Sequence, residues 1–223
     1  MEQQLASPSR SGQATALSAA MAAIHRRGWC EGTGGNFSCV LEAAPLTLLM
    51  APSGVDKGGV APHELIEVDA DGSVVAGDGR ASAETLLHLA IVEVTGAGAV
   101  LHTHSQAGTL LSQHYGPSEG GLSHLVLEDL EMLKGLAGIS THATTVAVPI
   151  LANDQNLADL SARARPHLRA APHGLLIAGH GLYAWGKDLG EARRHLEIHE
   201  FLLEQHWRRL LLDALVGRRA MSL

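Results

Sequence analysis

The chain has 223 residues, of which 46% are apolar and 17% charged, and its formal net charge is -7. That length suits one domain with a substantial core. The negative balance argues against nucleic acid or an anionic membrane as the main partner, and no stretch reaches the roughly 18 uninterrupted apolar residues of a spanning helix. Met1-Glu2-Gln3-Gln4 lacks the basic and apolar regions of a secretory signal, and Cys30 and Cys39 are too few and wrongly spaced for a disulfide framework or a thiolate zinc site. The expectation is therefore a soluble, cytoplasmic, single-domain protein over residues 1–223 with reduced thiols and a flexible segment at about 1–10. Fourteen histidines are unusual enough that some need a reason.

Leu17, Met21 and Ile24 recur at helical spacing, which predicts an amphipathic helix over Ala14 to Arg27, ended by Gly28. The glycine-rich turn Glu31-Gly32-Thr33-Gly34-Gly35-Asn36 leads into a strand reaching about Leu41, and Leu46 to Met50 reads as a second strand. Leu65 to Val68 and Ser73 to Val75, joined by Asp69-Ala70-Asp71-Gly72, read as a hairpin. Ser82 is placed to cap a helix from Ala83 to about Thr95. After Gly96-Ala97-Gly98, the apolar run Ala99 to Leu101 reads as a strand into His102-Thr103-His104, followed by a helix from Gln106 to His114.

Further helices are expected over Glu128 to Leu136 and Leu157 to Arg165, the second ending near Pro166. Thr144 to Leu151 reads as a buried strand, and Gly174 to Ala178 as another, with a further strand after Gly179-His180-Gly181 that continues through Trp185. Asp188 and Glu191 form a capping box for a last helix reaching about Leu215. Its arginines Arg208, Arg209, Arg218 and Arg219 read as dipole compensation rather than a binding patch. Strands interleaved with helices point to a three-layer α/β/α domain.

Side chains alternate faces along a strand, so His102 and His104 point one way and Thr103 the other. Two imidazoles about 7 Å apart along the backbone can close on one metal ion. A catalytic zinc takes three protein ligands and leaves a position open. His180, between two glycines at a strand end, is the candidate third ligand. His25, His63, His88, His167, His195, His199 and His206 lie on predicted helices or loops and read as surface or core-edge residues.

Gly32-Thr33-Gly34-Gly35-Asn36 enters a strand and not a helix, so a dinucleotide fold is excluded by context. Its exposed N–H groups, flanked by Thr33, Asn36 and Ser38, suit a phosphate nest. Ser53-Gly54 followed by Lys57 offers the same chemistry with a positive charge, and Ser82 adds a helix N-terminus. Each is an ordinary turn or cap taken alone; together they suggest a small phosphorylated substrate. Two carboxylates stand out. Glu84 is either dipole complementation in a first helical turn or a functional group. Glu131, amid Leu130, Met132 and Leu133, is either a general acid/base or an i,i+3 partner of Lys134.

These pieces, namely Gly32-Thr33-Gly34-Gly35-Asn36, Ala51-Pro52-Ser53-Gly54, Ser82-Ala83-Glu84, His102-Thr103-His104-Ser105 and His180-Gly181-Leu182, resemble in order the class II aldolase family. Gly54-Val55-Asp56-Lys57, Glu131-Met132-Leu133-Lys134-Gly135 and Gly181-Leu182-Tyr183-Ala184-Trp185-Gly186 are most similar to the ketose-phosphate dehydratases within it. The resemblance implies an α/β fold around a central mixed, largely antiparallel sheet. It implies one Zn2+ per subunit on His102, His104 and His180, and a phosphate pocket of Thr33, Gly35, Asn36, Ser53, Gly54 and Ser82 with Lys57 nearby. It matches Glu131 to the dehydratase acid/base and Glu84 to the carboxylate that serves the aldolases. It also implies a fourfold-symmetric homotetramer with sites at subunit contacts. An aldolase or epimerase is the alternative activity on such a scaffold, and a non-catalytic oligomerisation module a third reading.

Overall fold

A computed structural model describes residues 9–118 and 121–220. The first eight residues of the expected flexible segment lie outside that range. Its last two are ordered: the Ser9 side chain accepts a hydrogen bond from the Gly12 N–H and starts α1, Arg10–His25. This helix begins earlier than its apolar periodicity, because the cap and not the first buried residue sets the start. It buries Leu17, Met21 and Ile24, and burying one such side chain stabilises by about 1.5–3 kcal/mol.

Among the described residues nine strands form one sheet: β1 Asn36–Ala43, β2 Leu46–Met50, β3 Ile66–Asp69, β4 Val74–Ala76, β5 Ala99–Thr103, β6 Leu122–Glu128, β7 Thr145–Leu151, β8 Gly174–Ile177 and β9 Gly181–Gly186. Their order is β4-β3-β2-β1-β5-β9-β8-β7-β6, so the histidine strand β5 is the middle one. Every neighbouring pair is antiparallel except β7 with β8. The expected mixed, largely antiparallel sheet is what forms. The β3–β4 hairpin is closed by the Asp69 carboxylate, which accepts from the N–H groups of Asp71 and Ser73.

The remaining helices are α2 Thr85–Thr95, α3 Gln106–His114, α4 Leu157–Leu168 and α5 Leu189–Ala220. One face of the sheet packs Phe37, Leu101 and Leu182 against Leu17 of α1, Leu111 of α3 and Leu196 of α5. The opposite face packs Val100, Leu175, Tyr183 and Trp185 against Leu87 and Ile91 of α2 and Leu160 and Leu168 of α4. This is the three-layer arrangement expected. None of the described helices is long and apolar enough to cross a membrane.

Several local expectations need correction. Residues 122–128 form a strand that the sequence reading missed: Leu125 and Leu127 are buried but outward-facing Leu122 and Val126 are apolar too, which hides the alternation on this edge strand. The helix expected over Glu128 to Leu136 shrinks to a 3₁₀ turn, Glu131–Gly135, because Glu128 is spent in β6 and Asp129 turns the chain at φ 54°. β7 is buried on both faces from Val148 onward only; before that, Thr145 and Ala147 are exposed on either side of buried Val146. Helix α4 runs through Pro166 and ends two residues later, at Leu168, past the expected stop at Arg165. Ser82 does not cap α2 directly. Its hydroxyl accepts from the Glu84 N–H, and Glu84 itself occupies the N-cap.

The Asp188 carboxylate accepts from the Glu191 N–H and Glu191 from the Lys187 N–H, so α5 is capped as expected. It continues past Leu215 to Ala220. Arg208 and Arg209 consequently sit well inside the helix, paired with Glu204 and Asp213 one turn away, and do not compensate its C-terminal dipole. Side chains of 218–220 lie outside the description.

His199 of α5 is buried, and its Nε2 donates to the Pro172 carbonyl. Burial lowers its pKa to about 4. A histidine whose folded pKa lies below its unfolded value of about 6.5 stabilises the fold above that value, and the contribution is lost as pH falls toward 4, at about 1.4 kcal/mol per pH unit. Urea unfolding at pH 7.5, 6 and 5 should show stability falling over that window, with a shallower slope in His199→Gln.

Candidate metal centre and anion cavity

Strand β5 ends where the sheet opens between its two helical layers. His102 is its penultimate residue and points toward the α2 face, with its ring stacked on Tyr183 of the neighbouring strand at 3.9 Å between centroids. The His102 Nδ1–H donates to the Leu182 carbonyl at 3.0 Å, which leaves Nε2 as a bare lone pair facing outward. Thr103 points to the other face, as strand alternation requires, and meets Glu200 of α5. His104 follows the strand, its N–H held by the Trp29 carbonyl at 2.7 Å.

The third imidazole arrives by the turn between β8 and β9. Gly179 is left-handed at φ 64°, and a Cβ on Gly181 would lie 2.0 Å from the Thr103 carbonyl oxygen. His180 can therefore sit against β5 only because both its neighbours lack side chains. Its Nε2 is 3.4 Å from His102 Nε2 and 3.0 Å from a Glu84 carboxylate oxygen; His104 Nε2 is 2.8 Å from His102 Nε2. One donor atom from each of Glu84, His102, His104 and His180 lies within 4.8 Å of every other.

That donor set fits a metal ion. Three Nε2 atoms and a carboxylate converge on one point, with the His102 proton committed elsewhere, so lone pairs face each other unless a cation lies among them. Nitrogen ligands with bonds of about 2.05 Å around a tetrahedral zinc stand about 3.3 Å apart, close to the spacing here. Burial and the neighbouring His102 and His180 lower the His104 pKa to about 3, which keeps it neutral and available as a ligand. Burial would raise the Glu84 pKa, but the adjoining His102 and His180 rings overcome that and hold it well below the usual carboxylate range.

Beside this cluster lies a cavity of about 320 Å³. Its walls include Thr33, Gly34, Gly35, Asn36, Ser53, Gly54, Lys57, Ser82, Glu84, His104 and His180. All seven residues expected to bind phosphate are thus brought together with the imidazole cluster, although they come from three separate loops. Lys57 is almost wholly buried, and its ammonium donates to the carbonyls of Thr33 at 3.2 Å and Val55 at 2.9 Å. Among the described residues no carboxylate lies within ion-pairing distance of it. Burial lowers its pKa. A cation desolvated in this way, with a third N–H to offer, favours an incoming anion. Asn36 likewise has a buried amide nitrogen without a partner.

Glu131 is not in the cavity wall or the cluster. It sits on the 3₁₀ turn with 69% of its side chain exposed, paired with Lys134 and 3.7 Å from His142 Nδ1. In a single chain the surface ion pair is what forms. The Lys134 hydrogen bond lowers its pKa. Sequence reasoning also missed the wall formed by Asn153, Asp154, Gln155 and Leu157, between β7 and α4, and the Glu200 contact behind β5. The polar run after a buried strand was the one available signal for the former.

The fold and this site define a class. The family model described as "Class II Aldolase and Adducin N-terminal domain" matches residues 15–207, and the chain belongs to that family. Among curated relatives, the methylthioribulose-1-phosphate dehydratase of Serratia proteamaculans is 42% identical over 205 residues, covering 91% of this chain and 97% of the relative. The protein of the same name from Pectobacterium carotovorum is 44% identical over 206 residues, with the same coverage. Of solved structures, YgbL of Escherichia coli, titled a putative aldolase/epimerase/decarboxylase, superposes with a TM-score of 0.73 at 25% identity over 88% of each chain. An L-fuculose 1-phosphate aldolase has a TM-score of 0.71 at 21% identity, over 92% of this chain and 86% of its own, and shares the fold.

Two substitutions test the site's construction. A Cβ on Gly34 would stand 2.9 Å from His104 Nδ1, so Gly34→Ala should displace that ring and lower the affinity for added Zn2+ at least tenfold in chelator competition. Lys57→Met removes a buried unpaired charge at similar volume; the melting temperature should hold or rise while affinity for inorganic phosphate falls by tenfold or more in calorimetric titration.

Proposed function

We propose that this chain is a metal-dependent hydro-lyase that converts 5-methylthioribulose 1-phosphate to 2,3-diketo-5-methylthiopentyl 1-phosphate and water, a step of methionine salvage in the cytoplasm. The observation that carries this reading is one cavity that joins three imidazoles and a carboxylate to loops suited to a phosphate. The dehydratase relatives, similar over nine-tenths of the chain, select the reaction among those the family supports.

On this reading His102, His104 and His180 hold one Zn2+, with Glu84 alongside. The ion supplies Lewis acidity toward the C2 ketone and the adjoining hydroxyl of the substrate. Thr33, Gly35, Asn36, Ser53, Gly54 and Ser82 bind the 1-phosphate, and Lys57 balances its charge. Anchoring the phosphate fixes the sugar carbons relative to the imidazoles and carboxylates, which lowers the entropic part of the barrier. A carboxylate removes the C3 proton, the electron pair passes toward the C2 oxygen, and the C4 hydroxyl leaves as water after accepting a proton. The resulting enol tautomerises to the 2,3-diketone. Glu84 is the base within the chain's own cavity. Glu131 serves as the second acid/base group, brought to the site of a neighbouring copy in a homotetramer, since its own cavity does not contain it.

Purified protein offered methylthioribulose 1-phosphate, fuculose 1-phosphate and ribulose phosphates should form the diketone from the first and release no aldehyde from any. Aldehyde release would turn the assignment to an aldolase. Glu131→Gln should retain zinc and lose most turnover, while His104→Ala should lose both. Unfolding and co-refolding those two inactive variants should restore part of the activity, because mixed assemblies contain sites with a wild-type His104 and a neighbour's Glu131. No recovery would confine both residues to one subunit's site or remove Glu131 from the mechanism.

A further inference from the structure

We propose that Glu200, on α5 behind the sheet, is a positioning residue that clamps the backbone beside His104 through Thr103 and so sets the affinity of the metal centre. This rests on the metal reading above. Glu200 is 2% exposed and lies on the face of the sheet opposite the cavity. Its carboxylate accepts a hydrogen bond from the Thr103 hydroxyl, the residue immediately before His104. Ser105, immediately after His104, lines the same pocket as Glu200 and is the N-cap of α3, its oxygen accepting from the Gly108 N–H at 3.0 Å. One carboxylate thus ties the end of β5 to the middle of α5.

The need for such a clamp follows from how differently the three imidazoles are held. His102 is locked by its Nδ1 bond to the Leu182 carbonyl and by the stacked Tyr183 ring. His180 is fixed through its backbone, its carbonyl accepting from the Thr109 hydroxyl at 3.1 Å and its N–H bonded to Ile177. Among the described residues neither His104 Nδ1 nor His180 Nδ1 has a hydrogen-bond partner, so both rings are set by their contacts within the cluster and by their backbones. The backbone at His104 is held by the Trp29 carbonyl and, through Thr103, by Glu200.

A buried carboxylate is a poor way to gain stability, since desolvation opposes it. Burial pushes the Glu200 pKa up to about 7 in spite of the adjoining hydroxyls. An apolar side chain would fill the same space at less cost in free energy, so the carboxylate's contribution is orientation. Outer groups that orient metal ligands typically change metal affinity by 10- to 100-fold.

The test compares wild type with Glu200→Leu, Glu200→Gln and Thr103→Val as apo proteins, each titrated with Zn2+ against a chromophoric chelator and each melted without metal. Glu200→Leu should melt at or above the wild-type temperature, both it and Thr103→Val should bind Zn2+ 10- to 100-fold more weakly, and Glu200→Gln, which still offers a carbonyl oxygen, should recover part of the affinity. Wild-type affinity in Glu200→Leu and Thr103→Val would overturn the clamp. So would a loss of affinity that tracks loss of folding in every variant, since that is a merely structural role. If wild-type protein takes up no Zn2+, the metal reading itself fails, and the clamp with it.

Discussion

Everything in this molecule is arranged around a cluster that the protein chain alone does not satisfy. Three Nε2 atoms and a carboxylate are driven to within 4.8 Å of one another at the end of the central strand. Polar groups in a protein interior normally find complementary partners, whereas these present mainly acceptors to one another. The fold absorbs that cost by surrounding the cluster with well-packed apolar layers on both faces of the sheet. A cation placed there would convert mutual repulsion among lone pairs into coordination.

The anion cavity shows the same logic with the opposite sign. Lys57 is buried against backbone carbonyls without a carboxylate partner, and the Asn36 amide nitrogen is unpartnered beside it. A site short of negative charge adjoins one rich in lone pairs, and both open on one cavity. A phosphorylated ketose, with its anionic end and its neutral carbonyl oxygen, is complementary to that pairing. The class II aldolase scaffold can direct such a complex toward carbon–carbon cleavage or toward loss of water, so acid/base placement, and not the fold, decides the chemistry. Glu84 lines the cavity and Glu131 lies outside it in the single chain.

The fold was legible where local pattern and tertiary environment agreed. Leu17, Met21 and Ile24 gave α1, the apolar run before His102 gave β5, and Asp188 with Glu191 gave the start of α5. It was misread where they disagreed. Leu122 and Val126 face outward on an edge strand, so the alternation that marks a half-buried strand was lost. For Glu131 the sequence left two settings open, an acid/base group amid apolar neighbours and an i,i+3 partner of Lys134, and in the single chain the 3₁₀ turn forms the pair with its carboxylate in solvent.

Residue chemistry was thus determined by the sequence itself. Alternation along a strand made His102 and His104 partners, glycines on both sides of His180 permitted close approach, and small polar loops suited an anion. What only the tertiary structure decided was which distant pieces meet. Adjacency of β5 and β9, 80 residues apart across the His102–Leu182 hydrogen bond, brings the third imidazole to the pair. The packing of α5 under β5 brings Glu200 to Thr103. Such meetings depend on strand order and helix packing summed over the whole chain, and no local spacing encodes them.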